Sequence, residues 1–102
     1  MSTIRIGTDE RELRDADPQW ITQEIQGRRK DGLRVCVVVQ IRTADISMTL
    51  ATPGCGGTGG AGRPPNRHER EVFELWEELG LDELRFEPGK VVAFVKRVIR
   101  LL

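Results

Sequence analysis

Hydrophobic and polar positions follow two different periods along this chain, and the switches between them divide it into elements. Thr3–Gly7 has period two, with Ile4 and Ile6 on one side of Arg5, and reads as a short strand. Residues 8–17 are mostly charged, with Leu13 and Ala16 as apolar anchors, and read as a solvated loop or a single helical turn. Asp17-Pro18 has the form of a helix start: a capping carboxylate, then a proline whose missing N–H costs nothing at the first helical position. Trp20, Ile21 and Ile25 give that helix a narrow apolar stripe. Arg28, Arg29 and Lys30 suit its C-terminal dipole, and Gly32 suits a left-handed ending.

Period two returns over Leu33–Arg42. Leu33, Val35, Val37, Val39 and Ile41 share one side, while Cys36 and Val38 sit in the middle of the other, as in a central strand. After a turn near Thr43-Ala44, Ile46, Met48 and Leu50 alternate with Asp45, Ser47 and Thr49, a hairpin partner whose polar side suits an edge. Asn66 and Glu69 form a variant capping box ahead of Val72, Phe73, Trp76 and Leu79, and Gly80-Leu81 fits the end of that helix. The segment after Pro88 is rich in β-branched residues, yet period two would place charge on both faces. Period 3.6 instead gathers Lys90, Ala93, Lys96, Arg97 and Arg100 on one side and leaves a wide apolar face from Val91 to Leu102, so helix is the consistent reading.

The resulting order is β-α-β-β-α-α, an α+β class. A right-handed crossover sets the first strand parallel to the second, with the hairpin strand beyond it. The expectation is a three-stranded mixed sheet packed against helices in a single small domain, 1–102, with a flexible Gly-rich loop at 53–65.

Composition narrows the function classes. Lys and Arg number 16, as do Asp and Glu, so the formal net charge is zero, which argues against a general polyanion binder. No apolar run approaches the ~20 residues of a membrane span, and Met1-Ser2-Thr3-Ile4-Arg5 lacks the basic-then-apolar layout of a secretory signal. Two cysteines, Cys36 and Cys55, are too few for a disulfide scaffold, and a reduced cytoplasmic setting is expected.

Six of the 11 glycines (54, 56, 57, 59, 60 and 62) fall between a strand and a helix, where backbone N–H groups can cradle an anion. Two registers match G-x-G-x-x-G, but a dinucleotide fold needs a further strand with an acidic ribose ligand, and two helices follow instead. Gly57 and Gly62 have the spacing of a nucleotide-hydrolase phosphate loop. Arg63-Pro64 stands where lysine and a magnesium-binding hydroxyl belong, and proline has no such group. A cysteine-phosphatase loop would place its arginine at Ala61, whereas Arg63 comes two residues late. The anion-loop reading therefore rests on Gly57, Gly59, Gly60, Gly62 and Arg63 alone, beside the readings of a flexible tether and of a loop that orders on a protein partner.

Further chemistry is sparse. His68 and Arg63 are the sequence neighbours that could activate Cys55, while Cys36 suits sheet packing. A zinc site from Cys36, Cys55 and His68 lacks paired spacing and a fourth ligand, so no cofactor or metal is expected. Glu71, Glu74 and Glu78 form an acidic ridge, a solvated face or a dock for a basic partner. Arg28, Arg29, Lys30 and Arg34 form the densest basic cluster, but no aromatic accompanies them on the sheet positions as in single-strand readers, which argues against nucleic acid. No catalytic constellation emerges. The leading reading is a small non-enzymatic interaction module with an unknown protein partner or self-association, through the edge Ile46–Thr52 or the apolar surface of Val91–Leu102. The alternatives are a phosphate- or nucleotide-binding loop at 54–63 and, more weakly, nucleic-acid binding at 28–34.

Overall fold

A computed structural model describes residues 1–60 and 62–102. Strand β1 (Thr3–Ile6) turns through Gly7-Thr8 into β2 (Asp9–Glu12), with Ile6 opposite Asp9. Gly7 has φ +62° and no non-glycine residue among those described has positive φ, so only the first central position is left-handed, as in a type II′ hairpin. A 3₁₀ turn at Leu13–Asp15 leads to α1 (Pro18–Lys30), capped by Asp17, whose carboxylate accepts the Trp20 N–H at 2.7 Å. Strands β3 (Val37–Arg42) and β4 (Ser47–Ala51) form a second hairpin, and β5 (Gly59–Gly60) adds two residues outside β4. Helices α2 (Arg67–Glu78) and α3 (Pro88–Ile99) complete the chain.

The sheet order is β2-β1-β3-β4-β5 and every pairing is antiparallel. This overturns the expected three-stranded mixed sheet, although the class remains α+β. The reason is β2. Its four residues, Asp-Glu-Arg-Glu, are all exposed and contain no apolar side chain, so hydrophobic periodicity has nothing to register. The hairpin returns the chain to the start of β1 before α1 begins. The helix then carries it back over β1, so β3 runs antiparallel to β1 and parallel to β2. A crossover connection does exist, one strand away from its expected place.

Alternation sorts the sheet into two faces. Ile4, Ile6, Val37, Val39, Ile41, Met48 and Leu50 point inward and are at most 1 % exposed; they meet Ile21 and Ile25 of α1, Val72 and Trp76 of α2, and Val91, Phe94, Val95 and Val98 of α3. Trp76 and Phe94 join α2 to α3 edge-to-face, with ring centroids 5.0 Å apart. Asp9 and Arg11 of β2 also point toward the helices: Asp9 reaches Arg28 at 3.4 Å, and the Arg11 guanidinium lies 4.5 Å from the Trp20 ring centre. Among the described residues no helix lies over the opposite face, which carries Arg5, Gln40 and Arg42. Strand β3 begins four residues later than its apolar alternation suggests, because Gly32 (φ +73°) ends α1 with a Schellman turn. The Gly32 N–H donates to Arg29 O, the Leu33 N–H donates to Arg28 O, and Leu33 is thrown outward.

Gly7 sits under the Arg28 guanidinium, where a Cβ would collide with the side chain. Gly7→Ala is expected to cost about 1–2 kcal/mol, from the left-handed backbone alone. Urea denaturation read by tryptophan fluorescence checks this; an unchanged midpoint would mean that the hairpin is not held as described.

Candidate functional site

The glycine-rich loop is fastened to the sheet at several points. Cys36, on the open face just before β3, is disulfide-bonded to Cys55, with Cα atoms 5.3 Å apart. The two cysteines are thus one cross-link, not a packing residue and a free thiol as the sequence suggested; 19 positions separate them, so spacing alone gave no signal. Beyond Cys55, the Thr58 hydroxyl meets both backbone groups of Ala51, accepting its N–H at 3.0 Å and donating to its carbonyl at 3.2 Å. Gly59 and Gly60 then pair with Thr49 and Met48.

The residues read as an anion loop are distributed as follows. Gly59 and Gly60 form β5; Gly57 and Gly62 are exposed, Gly62 with φ +76°. Ala61 lies outside the described residues. Arg63 turns to Glu69 in the first turn of α2, donating from Nη1 to Oε1 at 2.7 Å and from Nη2 to Oε2 at 3.0 Å. Glu69 is 2 % exposed and its oxygens accept two more donors, the Asn66 N–H at 2.9 Å and the Ser47 N–H at 2.8 Å. The Arg63 hydrogen bond, followed by the two backbone N–H bonds, pulls the Glu69 carboxyl down to about 2. The same bond and charge raise the Arg63 guanidinium further. The capping-box spacing identified Glu69 as a cap; nothing local signalled that its carboxylate would also hold β4 and Arg63. His68 is exposed on α2, and among the described residues no group of three His, Cys, Asp or Glu side chains is placed to hold a metal.

These fastenings also close the outer edge of β4. The Thr52 N–H points to β3, donating to Val37 O, so the N–H groups of Ser47, Thr49 and Ala51 point outward. Ser47 is taken by Glu69, Thr49 lies against Gly59, and Ala51 is taken by Thr58. Self-association by strand pairing along Ile46–Thr52 has no free donors left to use. The apolar face of Val91–Leu102 is likewise occupied, since Val91, Phe94, Val95 and Val98 are buried in the protein's own core.

A different constellation forms at the end of α1. The Schellman turn places Leu33 and Arg34 beside the last helical turn, opposite the connection between α2 and α3. Arg29 bridges the two sides: its Nη2 donates to Phe86 O at 2.6 Å, and its guanidinium stacks 4.8 Å from the Phe86 ring centre. Arg34 reaches across to Pro53 O at 3.5 Å, next to the disulfide. These residues, with Val35 and Leu84, enclose a cleft of about 180 Å³, below the ~300 Å³ from which small-molecule pockets start. It is sized for one or two side chains, not a nucleotide. Leu33 (56 % exposed) and Leu84 (70 %) both open onto it, half of the four large hydrophobics left exposed in the described structure. The sequence flagged the basic residues of this site, but it read Leu33 as a buried strand position and gave no signal for Leu84 or Phe86.

Among the described residues, no helix is long and apolar enough to cross a membrane. Comparisons of this chain with protein-family models, curated proteins and solved structures return no match.

Proposed function

We propose that this chain is a non-enzymatic interaction module, and that the Arg29–Arg34 cleft docks an acidic segment of a partner protein that ends in, or carries, an aliphatic side chain. The observation that carries this reading is the convergence of two exposed leucines with two guanidinium groups around one cavity of side-chain size. Guanidinium groups are well suited to carboxylates, and a small apolar floor selects one anchoring side chain. The cytoplasmic setting expected from the cysteine count is not part of this reading, because the Cys36–Cys55 disulfide is a bond that persists in oxidising compartments.

The test is an amide NMR titration with an Asp/Glu-rich peptide carrying one central leucine, run beside inorganic phosphate and single-stranded DNA. Shifts confined to Leu33, Arg34, Leu84 and Phe86, at least about tenfold weaker in Leu33→Ser/Leu84→Ser, are the expected result. Shifts at Gly57–Arg63 with phosphate would favour the anion loop instead. A response to DNA alone, centred on residues 28–34, would favour nucleic acid.

A further inference from the structure

Helices α2 and α3 present a second surface, sharing no residue with the cleft. Glu71, Glu74 and Glu78 recur at i, i+3 and i+7 and form an exposed ridge along α2. Lys96 and Arg97 of α3, with Arg100 at its C-cap, form an exposed basic stripe. Between them runs an apolar seam of Leu75, Leu79, Ala93 and Leu101, the last 49 % exposed. Two shallow depressions of about 270 and 280 Å³ lie along this seam and share Leu75 and Arg97. Among the described residues, Glu74, Glu78, Lys96, Arg97 and Arg100 make no ion pair within 4.0 Å, and Glu71 pairs only with Arg67 of its own helix. Charges of both signs thus flank one apolar strip without neutralising each other.

We propose that a second copy of this chain covers this face. A two-fold axis through the seam would lay the acidic ridge of each copy on the basic stripe of the other, and bring the two leucine strips together. Isologous interfaces require a self-complementary patch of this kind. The zero net charge adds no overall repulsion to oppose it. The closed β4 edge removes strand pairing along that side as the competing route to a dimer.

Charge reversal tests the arrangement by sedimentation equilibrium on the full chain. The wild type is expected at twice its 11.5 kDa mass in about 0.01 M salt, dissociating toward the monomer near about 1 M, where screening shortens to a few Å. Glu74→Lys/Glu78→Lys and Arg97→Glu/Arg100→Glu are each expected to weaken self-association by about 100-fold or more, because like charges then face each other twice. All four positions are exposed, so circular dichroism should be unchanged. Mixing the two variants restores complementarity at both contacts and should return a heterodimer. A wild type that stays monomeric at low salt would overturn the proposal. So would a dimer indifferent to both reversals, or two monomeric variants that do not associate when mixed. None of these outcomes bears on peptide binding at Leu33 and Leu84.

Discussion

Reduction of the Cys36–Cys55 bond is expected to lower the unfolding free energy by about 3 kcal/mol, the chain-entropy value for a closed loop of this size. The cross-link restricts the unfolded chain chiefly by holding the start of β3 to the loop beyond β4. Against a total stability of about 5–15 kcal/mol, a loss of that size is a large fraction. A dithiol reductant would take the disulfide to two thiols while being oxidised itself, with two electrons and two protons transferred. Urea unfolding with and without reductant measures the difference, and thiol alkylation followed by mass spectrometry verifies the redox state. The Cys36→Ala/Cys55→Ala variant should match the reduced wild type and ignore reductant. An unchanged midpoint in protein shown to carry two free thiols would remove the bond from any stabilising role.

The second large effect concerns acid. Glu69 has its carboxyl at about 2 in the folded protein, against 4.5 for the unperturbed group. Its folded value is depressed, so the folded state gains from ionisation. That contribution is fully present above about 4.5 and is lost as the pH falls toward about 2. Protonation removes an acceptor from Arg63 and weakens the tie to Ser47, loosening α2 from β4 and uncovering the strand edge together. Glu69→Gln keeps the shape but not the charge. It should be less stable than wild type at neutral pH, and its stability should be flatter between about pH 4.5 and 2. Urea midpoints measured across that range decide it; parallel curves for variant and wild type would place the acid sensitivity elsewhere.

Much of the fold was legible where local chemistry determines geometry. Asp17-Pro18, Asn66 with Glu69, Gly80-Leu81 and Pro88 mark helix ends, because orphaned backbone groups there need particular neighbours. The Gly80 N–H donates to Glu77 O and the Leu81 N–H to Trp76 O, the ending that the sequence anticipates. The sheet was less legible. An edge strand made only of Asp, Glu and Arg gives no apolar period, and the glycine that starts its hairpin is marked only by a positive φ. The cleft was legible by half, since a run of basic residues is visible in sequence. Gly32 was legible as the end of α1, but the apolar alternation from Leu33 onward masked that its Schellman turn throws Leu33 outward and delays the strand to Val37. The fourfold use of the Glu69 carboxylate depends on contacts between residues 22 positions apart and had no local trace.

The closure of β4 has a consequence for how the chain is made. Its guards, Thr58, Gly59 and Glu69, all lie downstream of the strand they protect. Synthesis runs from the N-terminus, so the apolar β3–β4 hairpin leaves the ribosome before residues 52–69 do. At roughly 5–20 residues per second that leaves an interval of about 1–4 s in which a hydrophobic strand presents open backbone donors to whatever is near. The finished molecule resists edge-to-edge association on that side; the nascent one must pass through a stage that does not.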